Sequence, residues 1–578
     1  MARAPNNKEI AALLGAIADA LEIKAEDAFR ARAFRSGARR VETAPVDVAT
    51  TVLEGKLDSL PGIGTRMGNV IADYVKTGAS PQLEEARAGI PAGVFELLMI
   101  QGVGTKTASR LFNELEIVDV DGLEAAAKSG RLRQLPGMGP KKVQRFQEEI
   151  ARLHERRGTF RLGDALPEMA RLLGGLEGAT GVTAISPAGP VRRGAATVRG
   201  IDIVLAATDA NAVAHALGTL AATTETTAEL VRGETAGGIP VTLHLATPED
   251  FAVTLLRQSG SAAHLARLES IASEQGIDFG AAGPLRRGAA AVRVATEAEL
   301  YEVLGLQFVA AELREDRGEV EAARAGRLPR LVELGDLRGD LHAHTRWSDG
   351  AHTIAEMAAA ARRLGHDYLV ISDHSQSLTV AQGLTPERLR EQRLEVEAVD
   401  AEFADLRLFQ GTETDILTRG GLDFEDAELA ELDWVTASVH TAFQQSREAM
   451  TARMLTAIRN PWADSIGHPT GRLLNAREGY ELDTDAVFAA AAETGTAMEI
   501  NAMPDRLDLS DELARRAVEM GVDIVINTDA HAAEQLGLLP YGVVTARRAG
   551  ITHEQVVNTR DVEALREWRR ARMAKAGL

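Results

Sequence analysis

The chain has no cysteine among its 578 residues, which excludes disulfides, thiolate metal sites and cysteine nucleophiles. It also lacks any run approaching ~18 consecutive apolar residues, so neither a membrane-spanning helix nor a membrane partner is expected. The opening "MARAPNNKEIAALLGAIADALEI" enters an amphipathic helical pattern at once, without the layout of a signal peptide. These absences together point to the cytoplasm. What is present suits ordinary globular domains. Hydrophobic residues make up 45%, and a chain this long exceeds one core, so roughly three or four domains are expected.

The net charge of −20 argues, taken alone, against non-specific nucleic-acid binding. Its distribution argues otherwise. Residues 1–160 carry 23 Lys and Arg against 21 Asp and Glu, so the negative excess lies behind them. Within that front part "FRARAFRSGARR" (Phe29 to Arg40) reads as a basic helix with two aromatics. By itself it fits a solvated helix face as well as a nucleic-acid surface.

Its neighbours weigh in favour of nucleic acid. "LPGIGTRMGNVIADYV" from Leu60, "IQGVGTKTASRLF" from Ile100 and "LPGMGPKKVQRF" from Leu135 each read apolar-x-Gly-apolar-Gly followed by a helical pattern. The glycine pairs are Gly62 and Gly64, Gly102 and Gly104, Gly137 and Gly139. Two glycines let the backbone turn tightly before a helix N-terminus, offering free N–H groups to a phosphate. One such turn is weak evidence, because many helix–helix turns contain glycine. Three in one stretch are strong. They resemble helix-hairpin-helix motifs, which grip the DNA backbone without reading sequence. Arg66, Lys106 and Lys141, with Lys142 beside it, suit that role.

From about residue 160 the pattern changes to short strands and helices. "GPVRRGAATVRGIDIVLAA" (Gly189 to Ala207) is a glycine turn, an arginine pair and an apolar strand with one carboxylate, Asp202. With the repeats, residues 1–317 resemble a bacterial family X DNA polymerase. In that family the turn reads Gly-Ser-x-Arg-Arg, the strand Gly-Asp-Ile-Asp and a later strand Val-Asp-Leu. The resemblance implies three metal-binding aspartates for Mg2+ or Mn2+ and an incoming nucleoside triphosphate. Here the turn serine is Pro190, the first aspartate Gly200 and the third Thr242; Asp202 alone remains. Arg192 and Arg193 retain the means to grip phosphate, and "GSAAH", with Gly260 and Ser261, matches a nucleotide-contacting turn. The alternative for Arg192, Arg193 and Asp202 is an internal ion pair. The family's lyase lysine falls at Val70, so imine chemistry is not expected. "GPLRRGAAAVRV" from Gly283 echoes the turn without a carboxylate and reads as coincidence.

Seven apolar, strand-like segments follow: "GDLHAH", "DYLVISDH", "RLFQGTETD", "WVTASVH", "DSIGHP", "TAMEIN" and "DIVINTDAH". Most are separated by helical patterns, as in a β/α barrel, whose sites lie at strand C-terminal ends. His342 and His344 lie two apart and share one side of a strand. Asp349, His374, Glu413, His440, His468, Asp529 and His531 follow at or just beyond strand ends. A lone strand-end histidine is usually structural, but six of the chain's 13 histidines occupy such ends. Mixed imidazole and carboxylate ligation suits a cluster of two or three ions of Mn2+, Zn2+ or Fe2+.

This third resembles the PHP (polymerase and histidinol phosphatase) domain, with all its metal-ligand positions filled. The resemblance implies 3′–5′ exonuclease or related DNA-end hydrolysis by those nine residues. Arg472, after "GHPTG", is a candidate for substrate phosphate. The expected organisation is a lyase-like helical domain over 1–80 and a fingers-like domain over 81–158. A degenerate nucleotidyltransferase palm over 159–250 and a thumb over 251–317 come next. A charged helical spacer over 318–336 joins these to a (β/α)7 PHP barrel over 337–578. The expected protein is a monomeric DNA-repair enzyme acting on gapped, nicked or primer–template ends. Its rivals are an active gap-filling polymerase, a non-catalytic DNA-end scaffold and a PHP phosphomonoesterase of a small metabolite.

Overall fold

Apolar residues three and four apart build helices through the described residues of the first part of the chain, as a computed structural model shows. It describes all residues except 1–4, 6, 26–27, 43, 45–47, 57–62, 101, 208 and 281–282. The chain divides into two units, Met1–Arg157 and Gly158–Leu578.

In the first unit one hydrophobic core runs from Ile10 to Ile150. Helix Ala28–Glu42 turns Ala31, Phe34 and Ala38 into that core and leaves Phe29 exposed. Each described repeat does locally what its glycines allow. Gly64, Gly104 and Gly139 are the N-caps of helices Thr65–Thr77, Thr105–Leu115 and Pro140–Arg156, none of them with a side-chain cap. No capping side chain therefore competes with an outside acceptor for the first-turn N–H groups, although Pro140 has none and Lys142 N–H donates to Gly139 O at 3.0 Å. Nothing lies within 4 Å of where a Cβ would sit on any of the three. Gly102 (φ 91°) and Gly137 (φ 83°) supply the left-handed turns before them. Gly62 lies outside the described residues. Arg66, Lys106 and Lys141 are exposed beside these helix starts, and Val70 is buried in the core.

The second unit begins with a five-stranded sheet. Its strands are β1 (Val182–Ala188), β2 (Ile201–Ala207), β3 (Ala222–Thr226), β4 (Leu230–Glu234) and β5 (Pro240–Ala246), in the order β1-β2-β5-β4-β3. Only β2 and β5 run parallel. Helices Phe251–Ser259 and Ala262–Glu274 and a three-stranded antiparallel sheet over 277–292 form the adjoining thumb region. Helix Glu319–Arg324, in the segment expected as a spacer, packs Val320 and Ala323 into the thumb core.

The last part is a seven-stranded parallel sheet in strict sequence order. It comprises β6 (Gly339–Asp340), β7 (Tyr368–Ile371), β8 (Arg407–Asp415), β9 (Trp434–Ser438), β10 (Ser465–Ile466), β11 (Ala497–Asn501) and β12 (Ile524–Asn527). Beyond the ends of β6 and β12, Ala343 bridges Ala530, with His344 N–H donating to Ala530 O at 2.8 Å. That contact draws the sheet into a nearly closed barrel. Each expected strand segment contributes one strand. Its strands are buried throughout apart from Arg407, which explains their continuous apolar runs. Among the described residues no helix is long and apolar enough to cross a membrane.

Residues 1–157 expressed alone should bind duplex DNA with little sequence preference. Log affinity should fall linearly with log salt. Fluorescence anisotropy on labelled gapped and intact duplexes checks this, and salt-independent binding would contradict the phosphate-gripping role.

Candidate functional site

At the C-terminal ends of the barrel strands, imidazoles and carboxylates converge. Glu413, on β8 and 1% exposed, is their meeting point. Its Oε2 lies 3.5 Å from His342 Nε2, 3.5 Å from His344 Nε2 and 2.9 Å from His374 Nδ1. Its Oε1 lies 3.2 Å from His440 Nε2 and 2.9 Å from His468 Nε2. Asp529 Oδ1 is 3.6 Å from His342 Nε2 and 3.1 Å from His344 Nε2. Asp349, at the solvent side, faces His374 at 3.7 Å and His531 at 3.5 Å. Two of these residues reach the centre from unusual backbone, His468 at φ 28° and Asp529 at φ 54°. Left-handed backbone at non-glycine residues is a strain that functional sites tolerate.

Three overlapping sets have ligand atoms within 4.8 Å of one another: His344, Asp349, His374 and His531; His342, His344, Glu413 and Asp529; and His374, Glu413 and His440. His468 joins them through Glu413. The donor set fits divalent cations on an independent observation. His342 Nε2, both nitrogens of His344, His374 Nδ1 and His468 Nδ1 are buried without a hydrogen bond. Orphaned buried nitrogens are costly unless a ligand takes their lone pairs.

A second ring of groups orients these side chains. Glu499, fully buried on β11, faces His342 Nδ1 at 2.8 Å, and Asp415 faces His440 Nδ1 at 2.6 Å. The Asp529 carbonyl accepts from His531 Nδ1 at 2.8 Å. Asp373 accepts from Thr345 N, Ser348 Oγ and Gln392, pinning the loop between His344 and Asp349. Such partners fix tautomer and ring orientation at metal sites. They were not singled out from sequence, although Asp415 and Glu499 stand inside the segments "TETD" and "AMEIN". Charge is divided unevenly. Burial disfavours a proton on His440, yet Glu413 and Asp415 push it up to about 10. Burial, with the neighbouring His531 and His374, pulls His344 down to about 3. Despite burial, Asp349 is drawn far down by His531, His344 and His374.

Arg472 turns away from the centre. It donates to the carbonyls of Arg506, at 2.9 Å, and of Leu507.

The polymerase-like turn is differently committed. Asp202 Oδ1 is 3.0 Å from His244 Nε2, and Thr242 sits opposite Asp202 in the β2–β5 register. Gly189, at φ 63°, lies so close that a Cβ there would be 2.3 Å from Asp202 Oδ2. Gly200 is closed to any side chain, since its Cβ would fall 2.9 Å from the Pro240 carbonyl oxygen. Arg192 donates to Glu297 at 2.6 and 3.1 Å and to Ser259 Oγ at 2.7 Å. Glu297 also binds the fully buried Arg314 at 2.5 Å. Arg193 donates to Glu315 at 2.8 Å and to Ser259 O at 3.0 Å. Gly260 ends one helix, and Ser261 caps the next by accepting from His264 N. Both arginines thus lie in internal ion pairs.

Four family models match the chain: Helix-hairpin-helix domain over 5–80, SAM-like Helix-hairpin-helix tandem over 94–152, DNA polymerase beta thumb over 254–315 and PHP domain over 340–503. The "DNA polymerase/3'-5' exonuclease PolX" of Bacillus subtilis (strain 168) is 36% identical over 571 residues, covering 97% of this chain and 99% of that protein. A probable phosphatase of Thermoanaerobacter sp. (strain X514) is 32% identical over 249 residues, 41% of this chain and 96% of its own length.

Titrating Zn2+ or Mn2+ into metal-free protein near pH 7.5 should load more than one ion per chain and release protons. His440, and His531, pushed up to about 9 by Asp349 and Asp529 against burial, carry protons until an ion displaces them. His342→Ala with His344→Ala should lose that loading while DNA affinity holds. Elemental analysis and pH-stat titration provide the readout, and unchanged stoichiometry in the variant would refute the ligand assignment.

Proposed function

Since the chain belongs to the bacterial PolX family, the family X DNA polymerases that carry a C-terminal PHP domain, we propose that its chemistry resides in the barrel. The nine residues His342, His344, Asp349, His374, Glu413, His440, His468, Asp529 and His531 bind two or three ions of Mn2+, Zn2+ or Fe2+. They serve a 3′–5′ exonuclease or DNA-end phosphoesterase. The observation that carries this reading is the set of buried nitrogens of His342, His344, His374 and His468 left without hydrogen bonds, on histidines that gather about Glu413.

When bound, the ions supply Lewis acidity toward a water and toward a phosphoryl oxygen. The protein's own residues prepare that chemistry. Glu413 gathers five histidines on one carboxylate and, with Asp349 and Asp529, gives the ligand set its negative charge. Glu499 and Asp415 hold His342 and His440 with the other ring nitrogen turned to the centre. Asp349 and His531, 34% and 31% exposed, form the open rim through which a DNA end enters. The hairpin glycines and Arg66, Lys106 and Lys141 hold the duplex by its backbone, whereas the barrel acts on the end. The enzyme works as a monomer on gapped, nicked or primer–template DNA.

Polymerisation is weak or absent in this reading. Two-metal phosphoryl transfer needs closely spaced carboxylates, and Asp202 has His244, Thr242 and Gly200 about it instead. Gly200 gives no room for a side chain, so restoring Gly200→Asp and Thr242→Asp requires a backbone shift at Pro240. The arginines that would receive a triphosphate are held by Glu297 and Glu315. A dNTP is therefore not needed by the proposed reaction.

The test is a labelled primer–template incubated with Mn2+ or Mg2+, with and without nucleotides. The unmodified protein should shorten the primer. The His342→Ala, His344→Ala protein should neither shorten nor appreciably extend it. Robust extension by that variant, abolished by Asp202→Ala, would restore the polymerase reading.

A further inference from the structure

The barrel has a second end, away from the metal-ligand candidates. Phe409 shares the face of β8 that carries Glu413, four residues nearer the strand's start, and Trp434 opens β9. With Tyr368, Val370 and Val525 they belong to one buried cluster, which Leu565 of the final helix, Val562–Lys575, joins. Side chains alternate along a strand, so this cluster fills the barrel interior about 13 Å below Glu413. The helix is fixed over that end by polar contacts. Trp568 Nε1 donates to Asp523 Oδ2 at 2.7 Å. Buried Asp464 accepts from Arg569 Nε at 3.0 Å and Arg572 Nε at 2.9 Å.

The helix does not seal that end. A cavity of about 190 Å3 remains, walled by Phe409 and Trp434 on the strand side and by Arg566, Arg569, Arg570 and Met573 on the helix side. Those four positions form one stripe of a helix. Arg566 is bound to Glu563 at 2.8 Å and lies over the Phe409 ring. Arg569 shares the Asp464 carboxylate with Arg572, and its Nη2 is buried without a hydrogen bond. Arg570 is exposed and has no hydrogen bond or ion pair among the described residues. Asp433 also lines the cavity, and its carboxylate already accepts from Gln410 N–H at 3.1 Å. Three guanidiniums against that one carboxylate leave the mouth cationic.

We propose that this end of the barrel binds a nucleoside monophosphate, at a site separate from the metal centre. A void of about 150 Å3 takes up one benzene ring, so this cavity has room for one flat ring and little more. Phe409 and Trp434 supply aromatic walls for a base. The rest of the ligand lies toward the mouth, where the free donors of Arg569 and Arg570 suit a doubly charged phosphate better than a single carboxylate. Occupancy involves no covalent step. The inference stands apart from the nuclease reading, because binding here needs neither turnover nor metal.

The experiment measures binding of dAMP to full-length, metal-loaded protein by calorimetry. One dAMP per chain should bind, and the His342→Ala, His344→Ala protein should keep that binding. Arg570→Glu should weaken it about tenfold, and Met573→Trp, which fills the cavity, should abolish it. Both variants should retain the metal content and circular dichroism of the unmodified protein. Deoxyadenosine, inorganic phosphate and octanoate should each bind about tenfold more weakly than dAMP, since each lacks the anion, the ring or both the ring and the second charge. Affinity for dAMP unchanged in Arg570→Glu and Met573→Trp would overturn the proposal. Loss of binding in the histidine variant alone would do the same by placing the nucleotide at the metals. Phosphate or octanoate binding as tightly as dAMP would also overturn it, leaving an anion patch or an acyl site. A loaded protein that released no nucleotide from DNA yet bound dAMP in the expected pattern would sink the nuclease reading and leave this site standing.

Discussion

The arrangement of the barrel's strand ends turns on one buried carboxylate. Glu413 is almost wholly removed from water and faces five imidazoles contributed by four other strand ends. A buried negative charge is tolerated only with compensation, and that compensation dictates the rest. The parallel sheet places all its strand ends on one rim, which lets His342, His344, His374, His440 and His468 reach one point. Nearly closing the barrel at Ala343 and Ala530 brings Asp529 and His531 to the same place. Glu499 and Asp415 then orient the rings from behind. Such a crowd of nitrogens and carboxylates is costly as a protein interior and reasonable as a metal centre.

The polymerase-like half shows the opposite economy. Its turn, arginine pair and central strand persist in order, but each charged group has found a partner inside the protein. Glu297 lies between Arg192 and the buried Arg314, and Glu315 receives Arg193 and Arg548. Arg548 belongs to the PHP region and also donates to the Arg193 carbonyl at 2.7 Å. Groups that would meet a triphosphate thus tie the palm and thumb regions to the barrel. In the proposed reading, DNA grip, structural palm and hydrolytic centre divide the work along the chain.

The barrel was legible because its signal is local. Seven apolar runs, five of them ending in His or Asp, state the strands and the side chains that converge at their ends, and sequence order is sheet order. The hairpins were legible for the same reason, each being a few residues long. Partnerships across long separations were not. Nothing in "GPVRRG" reveals that Arg192 meets Glu297 or that Arg193 meets Glu315. Both readings of those arginines were open until the fold brought the thumb beside the turn. Arg472 drew attention by its nearness to His468, yet its guanidinium is committed to the Arg506 and Leu507 carbonyls, on a loop whose shape no periodicity encodes. Gly200 could be seen to lack a carboxylate, but not that Pro240 leaves it no space.

The measurement that tests the account most directly is made on Glu413→Gln, which keeps the shape of the side chain and removes its charge. Glu413→Gln should give a folded protein that retains its DNA affinity, loads fewer ions per chain by elemental analysis and no longer releases nucleotides from a 3′ end. A Glu413→Gln protein with full metal content and an undiminished rate of nucleotide release would contradict it.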